Sequence, residues 1–181
     1  LVDLDDDGDL DLAYPSGIHN AQLAVRLNDG AGNFGNPILS NMDSAYGENF
    51  LALAFGDYDE DGKVDVIASR NTHSLVRALG NGDGTFSSPV AAPAGQNPIH
   101  LLAADFNLDG DLDLAVSHFS NDLAISLYLG QGNGNLVGPQ DLGFAVPFGK
   151  FFDLAAGDFN ADGFPDVAFT AYQRAFLLLS H

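Results

Sequence analysis

The chain has 181 residues, 46% of them hydrophobic, and 25 acidic against 6 basic side chains give a formal net charge of −19; so anionic a surface excludes nucleic acid and anionic membranes as partners. Cysteine is absent, which excludes disulfides, thiolate catalysis and thiolate metal sites. Nearly all the acid is Asp, with Glu48 and Glu60 the exceptions, and a chain rich in Asp, Asn and Gly favours turns and strands over helices.

Read from the start, the chain enters at once on DLDDDGDLD (Asp3–Asp11), and this loop recurs as DYDEDGKVD (Asp57–Asp65), DFNLDGDLD (Asp105–Asp113) and DFNADGFPD (Asp158–Asp166), about fifty residues apart. The opening at Leu1 without an initiator Met predicts a natural N-terminus further upstream. No apolar run approaches the roughly 20 residues that a membrane-spanning helix needs, so no direct membrane insertion is expected.

After each loop comes a short β-prone run, LAYP, VIAS, LAVS or VAFT, then a polar connection and a second run, AVRL, LVRAL, ISLYL or AFLLL. Glycine-rich turns follow, NDGAGNF, NGDGTF and GQGNGNL, whose Asn-Gly and Asp-Gly steps suit hairpins. Pro37, Pro89 and Pro139 recur just past them, which places an edge strand there. Ahead of the later loops lie FLALAFG, IHLLAA and FFDLAAG, with Leu53, Leu101 and Leu154 each at the same distance from the first Asp. The repeat is therefore strand, acidic loop, strand, polar loop, strand, glycine turn and edge strand: a four-stranded antiparallel blade. The units run approximately over 1–48, 49–96, 97–149 and 150–181 of one domain, 1–181.

On GDYDEDGKVDVIAS and GDFNADGFPDVAFT, each with its following strand, the chain resembles the FG-GAP and VCBS repeat families, the blades of integrin-α propellers and of many secreted bacterial proteins. The resemblance covers essentially the whole chain. It implies an all-β fold, a β-propeller with about three and a half blades present, and a fragment of a ring of six to eight blades whose remaining blades are partners of this segment.

The acidic loops carry their own chemistry. A hard cation such as calcium takes six to eight oxygens, and acidic side chains at alternating positions converge on one point when a glycine turns the chain sharply. Gly8, Gly62, Gly110 and Gly163 supply the turn. The candidate side-chain ligands are Asp3, Asp5, Asp7 and Asp11; Asp57, Asp59, Asp61 and Asp65; Asp105, Asn107, Asp109 and Asp113; and Asp158, Asn160, Asp162 and Asp166. The resemblance implies that the seventh residue, Asp9, Lys63, Asp111 or Phe164, adds its backbone carbonyl. Up to four structural calcium ions are expected.

An EF-hand is excluded because its twelfth position, which needs Glu, falls on Tyr14, Ala68, Val116 and Phe169. A nine-residue calcium β-helix would repeat without the fifty-residue spacing. Zinc prefers nitrogen and sulfur donors, and no His lies in any loop. Magnesium tolerates fewer protein oxygens, and crowded carboxylates without any cation repel one another. Charge count ranks the first two loops above the Asn-containing pair, and the cut end lowers the first, so Asp57–Asp65 is expected to be the tightest.

The face opposite the calcium loops is expected to hold a protein or carbohydrate partner, with His19, Asn20, Arg70, Asn71, His73, His118, Asn121, Tyr172, Gln173 and Arg174 as its residues. No catalytic motif is present. The expected role is a secreted or cell-surface, calcium-stabilised adhesion module, with a propeller domain of a polysaccharide lyase or other secreted carbohydrate-active enzyme as the alternative.

Overall fold

The computed structural model describes residues 1–16, 22–42, 50–70, 74–92, 97–119, 125–141, 151–171 and 174–179. Every element among them is a strand. After the first acidic loop come β1 (Leu12–Ser16), β2 (Gln22–Arg26) and β3 (Ile38–Asn41), which form one sheet in that order. β4 (Phe50–Gly56), β5 (Asp65–Arg70), β6 (Leu75–Ala78) and β7 (Val90–Ala92) form the second. The third contains β8 (Pro98–Ala104), β9 (Asp113–His118), β10 (Ile125–Gly130) and β11 (Leu136–Asp141), and the fourth β12 (Phe151–Gly157), β13 (Asp166–Ala171) and β14 (Arg174–Leu178). Each strand pairs antiparallel with its sequence neighbour, as in propeller blades.

The prolines stand where a missing N–H is harmless. Pro37 and Pro89 directly precede β3 and β7, and Pro139 lies within β11; all three strands are at sheet ends, where no further ladder bond is required.

The core lies between successive sheets, because the two faces of a strand alternate residue by residue. On β5, Val66 and Ala68 pack with Leu4, Leu23 and Val25 of the first repeat, while Ile67 between them packs with Leu114 and Val116 of the third sheet. On β9, Ala115 turns the other way and meets Val167 and Phe169 of β13. Leu53, Leu101 and Leu154 each pack toward the preceding sheet, and that common task accounts for their constant place in the repeat. Phe169 also stacks on Phe176 across β13 and β14, with ring centroids 5.1 Å apart. The first strands β4, β8 and β12 touch in succession, which is how blades converge on a shared axis.

Candidate metal centre

Each acidic loop links the first and second strands of a repeat, and its backbone is fixed in the same way four times. The sixth residues, Gly8, Gly62, Gly110 and Gly163, have φ of 92°, 85°, 101° and 94°, a region open to glycine and costly for other residues. The first Asp caps this turn: the glycine N–H donates to Oδ2 of Asp3, Asp57, Asp105 and Asp158 at 2.9–3.0 Å. The fifth Asp accepts from the seventh residue's N–H at 2.9–3.0 Å. The fourth residues also have positive φ, at Asp6, Glu60, Leu108 and Ala161. Asp6 is of a type that visits this region, but nothing in Glu60, Leu108 or Ala161 announces it; the hydrogen bonds on either side impose it, at a cost of about 1–3 kcal/mol each.

The ninth Asp has a double attachment. Asp11, Asp65, Asp113 and Asp166 are fully buried, and the N–H of the second loop residue donates to Oδ2 of each at 2.8–3.0 Å. Oδ1 of the first three accepts from the N–H of Asn28 and Gly80, two residues past the third strand, and of Gly130, at that strand's end. These carboxylates therefore tie loop, second strand and third strand together. Burial pushes the carboxyls of Asp65 and Asp113 above the usual range, while the N–H bonds from Gly80 and Tyr58, and from Gly130 and Phe106, oppose it.

The loops differ in how their charge is met. In the first, oxygens of Asp3, Asp5 and Asp11 lie within 4.8 Å of one another, and Oδ1 of both Asp3 and Asp5 is buried without a hydrogen-bond donor. Burial, then Asp7, Asp11 and Asp3, raise the Asp5 carboxyl. In the second, Asp57, Asp59 and Asp61 cluster in the same way, but Lys63 Nζ reaches Asp61 Oδ2 at 2.7 Å and holds that carboxyl below the usual range. In the third and fourth, Asn107 and Asn160 donate their amides to Asp109 and Asp162 at 2.9 and 2.8 Å. The donor set is all oxygen and hard, carboxylate in every place but Asn107 and Asn160, which fits calcium-type coordination.

The glycine turns adjoin these loops. A Cβ on Gly30, Gly82 or Gly132 would meet Asp9, Lys63 or Asp111, the seventh loop residues, so the two loop types share one face. Gly84 packs on Val25, Leu27 and Ile38 of the preceding sheet. Between the third and fourth sheets the equivalent Leu127, Leu129 and Gln140 instead line a cleft of about 420 Å³.

Of the opposite-face candidates, His19, Asn20, Asn71, His73, Asn121, Tyr172 and Gln173 lie outside the described residues. Arg70 donates to the Met42 carbonyl at 2.7 Å, joining the second sheet to the first. His118 is fully buried at the end of β9. Arg174 is exposed at the start of β14.

A family model for the FG-GAP-like repeat matches the chain three times, over residues 3–68, 57–116 and 105–169. Among solved structures the chain is similar to an Agrocybe aegerita lectin described as specifically recognising non-reducing terminal N-acetylglucosamine: 17% identity, TM-score 0.67, 99% of this chain and 48% of that one. It is also similar to part of the Photorhabdus luminescens Tc holotoxin pore, at 16% identity and TM-score 0.52, over 92% of this chain and 8% of that one. The chain thus spans about half the length of the lectin. None of the curated proteins matches it.

Proposed function

The chain belongs to the FG-GAP-like repeat family, and from that premise we propose that it is a calcium-stabilised binding module, part of a larger β-propeller, that recognises a glycan or protein outside the cell. The observation that carries the metal half is the pair of buried, donorless oxygens on Asp3 and Asp5 beside Asp11. An ionised oxygen shut away from water and left unpaired costs at least about 1–3 kcal/mol, and a cation is the group that removes this cost. Asp3, Asp5, Asp7 and Asp11 would hold it, with their counterparts in the other loops, and the ion would supply charge neutralisation and a clip between first and second strands.

The binding half is supported by the family and by the likeness to a lectin. A glycan array that includes terminal N-acetylglucosamine tests it, run with calcium and with chelator. Calcium-dependent retention of a defined glycan set without product formation is the expected result. Release of unsaturated oligosaccharides would replace this reading with a lyase, and no retention at all would leave protein ligands as the partner class.

A further inference from the structure

The second residue of each acidic loop lies between two candidate ligands, the first and the third, and points away from them. Leu4, Tyr58 and Phe106 are 4%, 3% and 6% exposed, and each packs into the core shared with the following sheet. Phe159, the fourth, is 54% exposed. The backbone repeats the link: Gly84 N–H donates to the Leu4 carbonyl at 3.2 Å, and Gly134 N–H to the Tyr58 carbonyl at 2.7 Å. On its other side the same residue donates to the ninth Asp. Side chain, carbonyl and N–H of one residue thus join a cation loop to the glycine turn of the next repeat.

We infer that each loop, through its second residue, controls the docking of the sheet that follows it more strongly than that of the sheet before it, which loops two and three meet through their eighth residues, Val64 and Leu112, so that calcium is coupled to blade assembly mainly in one direction along the chain. This rests on the calcium reading above. Drawing the first and third side chains onto one ion fixes the residue between them, and with it the plug and the carbonyl that receive the next turn. Loop one would govern the first–second interface through Leu4, loop two the second–third through Tyr58, and loop three the third–fourth through Phe106. Loop four would govern none of the described interfaces.

Hydrogen exchange read at the Gly84 and Gly134 amides, in the whole chain with calcium or chelator, tests this alongside calorimetric calcium stoichiometry. Asp59→Ala should lower the protection of Gly134 more than that of Gly84, which shares its turn with Gly80 and Gly82 beside loop two, and Asp5→Ala should lower Gly84 and spare Gly134. The loss should reach up to about a hundredfold when calcium stands a hundredfold above Kd, since occupancy multiplies the docked population by 1 + [Ca²⁺]/Kd. Asp162→Ala should remove one ion and spare both amides. Asp59→Asn guards against misfolding, because Asn107 and Asn160 already occupy that position; it should give a smaller loss in the same direction. If calcium binds but Asp59→Ala spares Gly134, or exposes both amides equally, the directional coupling is wrong and the calcium reading survives. If the wild type binds no calcium, both fall together.

Discussion

Gly134, in the third repeat's glycine turn, donates its N–H to the carbonyl of Tyr58, in the second repeat's acidic loop, at 2.7 Å. A Cβ on Gly134 would run into the Arg77 guanidinium and lie 3.2 Å from Leu79, at a φ of 77°. Gly32 has nearly the same φ, 82°, with open space around it. Gly134→Ala should therefore cost more than Gly32→Ala, which should cost only about 1 kcal/mol from left-handed backbone strain. Urea denaturation of the two variants checks this; equal losses would mean that the Arg77 and Leu79 side chains move aside without cost.

Two residues at the same loop position should behave oppositely. Phe106 is 6% exposed in the core between the third and fourth sheets, and Phe159 is 54% exposed. Phe106→Ala should cost about 3–5 kcal/mol as a cavity, and Phe159→Ala within about 0.5 kcal/mol as a surface change. Chemical denaturation of each variant separates them, and similar losses would contradict the assignment of the second residue as an inter-sheet plug.

Much of this was legible in the sequence. The four loops, the strand order and the edge position of the Pro37, Pro89 and Pro139 segments follow from repeat, alternation and turn chemistry alone. The plug role was not, because Leu4, Tyr58, Phe106 and Phe159 differ in kind, and only the packing of one sheet on the next reveals what they share. The positive φ at Leu108 and Ala161 was equally hidden, since neither residue type favours it. The ninth Asp reads in the sequence as a ligand; the additional tie of Asp65 to the Gly80 N–H depends on a segment that arrives fifteen residues later in the chain.

Acid should weaken the glycine turns by a route independent of the loops. Thr85 donates its hydroxyl and its N–H to the Asp83 carboxylate, which holds that carboxyl below the usual range. The folded turn therefore binds fewer protons than the unfolded chain, so its contribution is present above the ordinary carboxylate value near about 3.9 and is lost as pH falls through the lower folded value. Thr85→Val should return Asp83 toward the ordinary range in a carboxyl NMR titration. An unmoved Asp83 would show that the hydroxyl is not the cause.

The loops should not bind alike. Asp3 and Asp5 each hold a donorless buried oxygen, whereas Lys63 already engages Asp61, and the Asn107 and Asn160 amides already engage Asp109 and Asp162. This moves the expected tightest site from Asp57–Asp65 to Asp3–Asp11, because no internal cation or amide must be displaced there. A difference of about 1.4 kcal/mol is tenfold in affinity. Asp5→Ala should therefore remove the highest-affinity phase of a calcium titration, and Lys63→Ala should tighten the second site. Loss of the highest-affinity phase on Asp59→Ala instead would restore the order given by charge count.

Calcium itself is tested most directly by calorimetry on the wild type, combining a titration with melting curves in calcium and in chelator. Each occupied site should add about 2.7 kcal/mol when calcium is a hundredfold above Kd, so the account predicts up to four bound ions and a melting temperature that falls markedly on chelation. No heat of binding at millimolar calcium, with a melting curve that chelator leaves in place, would contradict it.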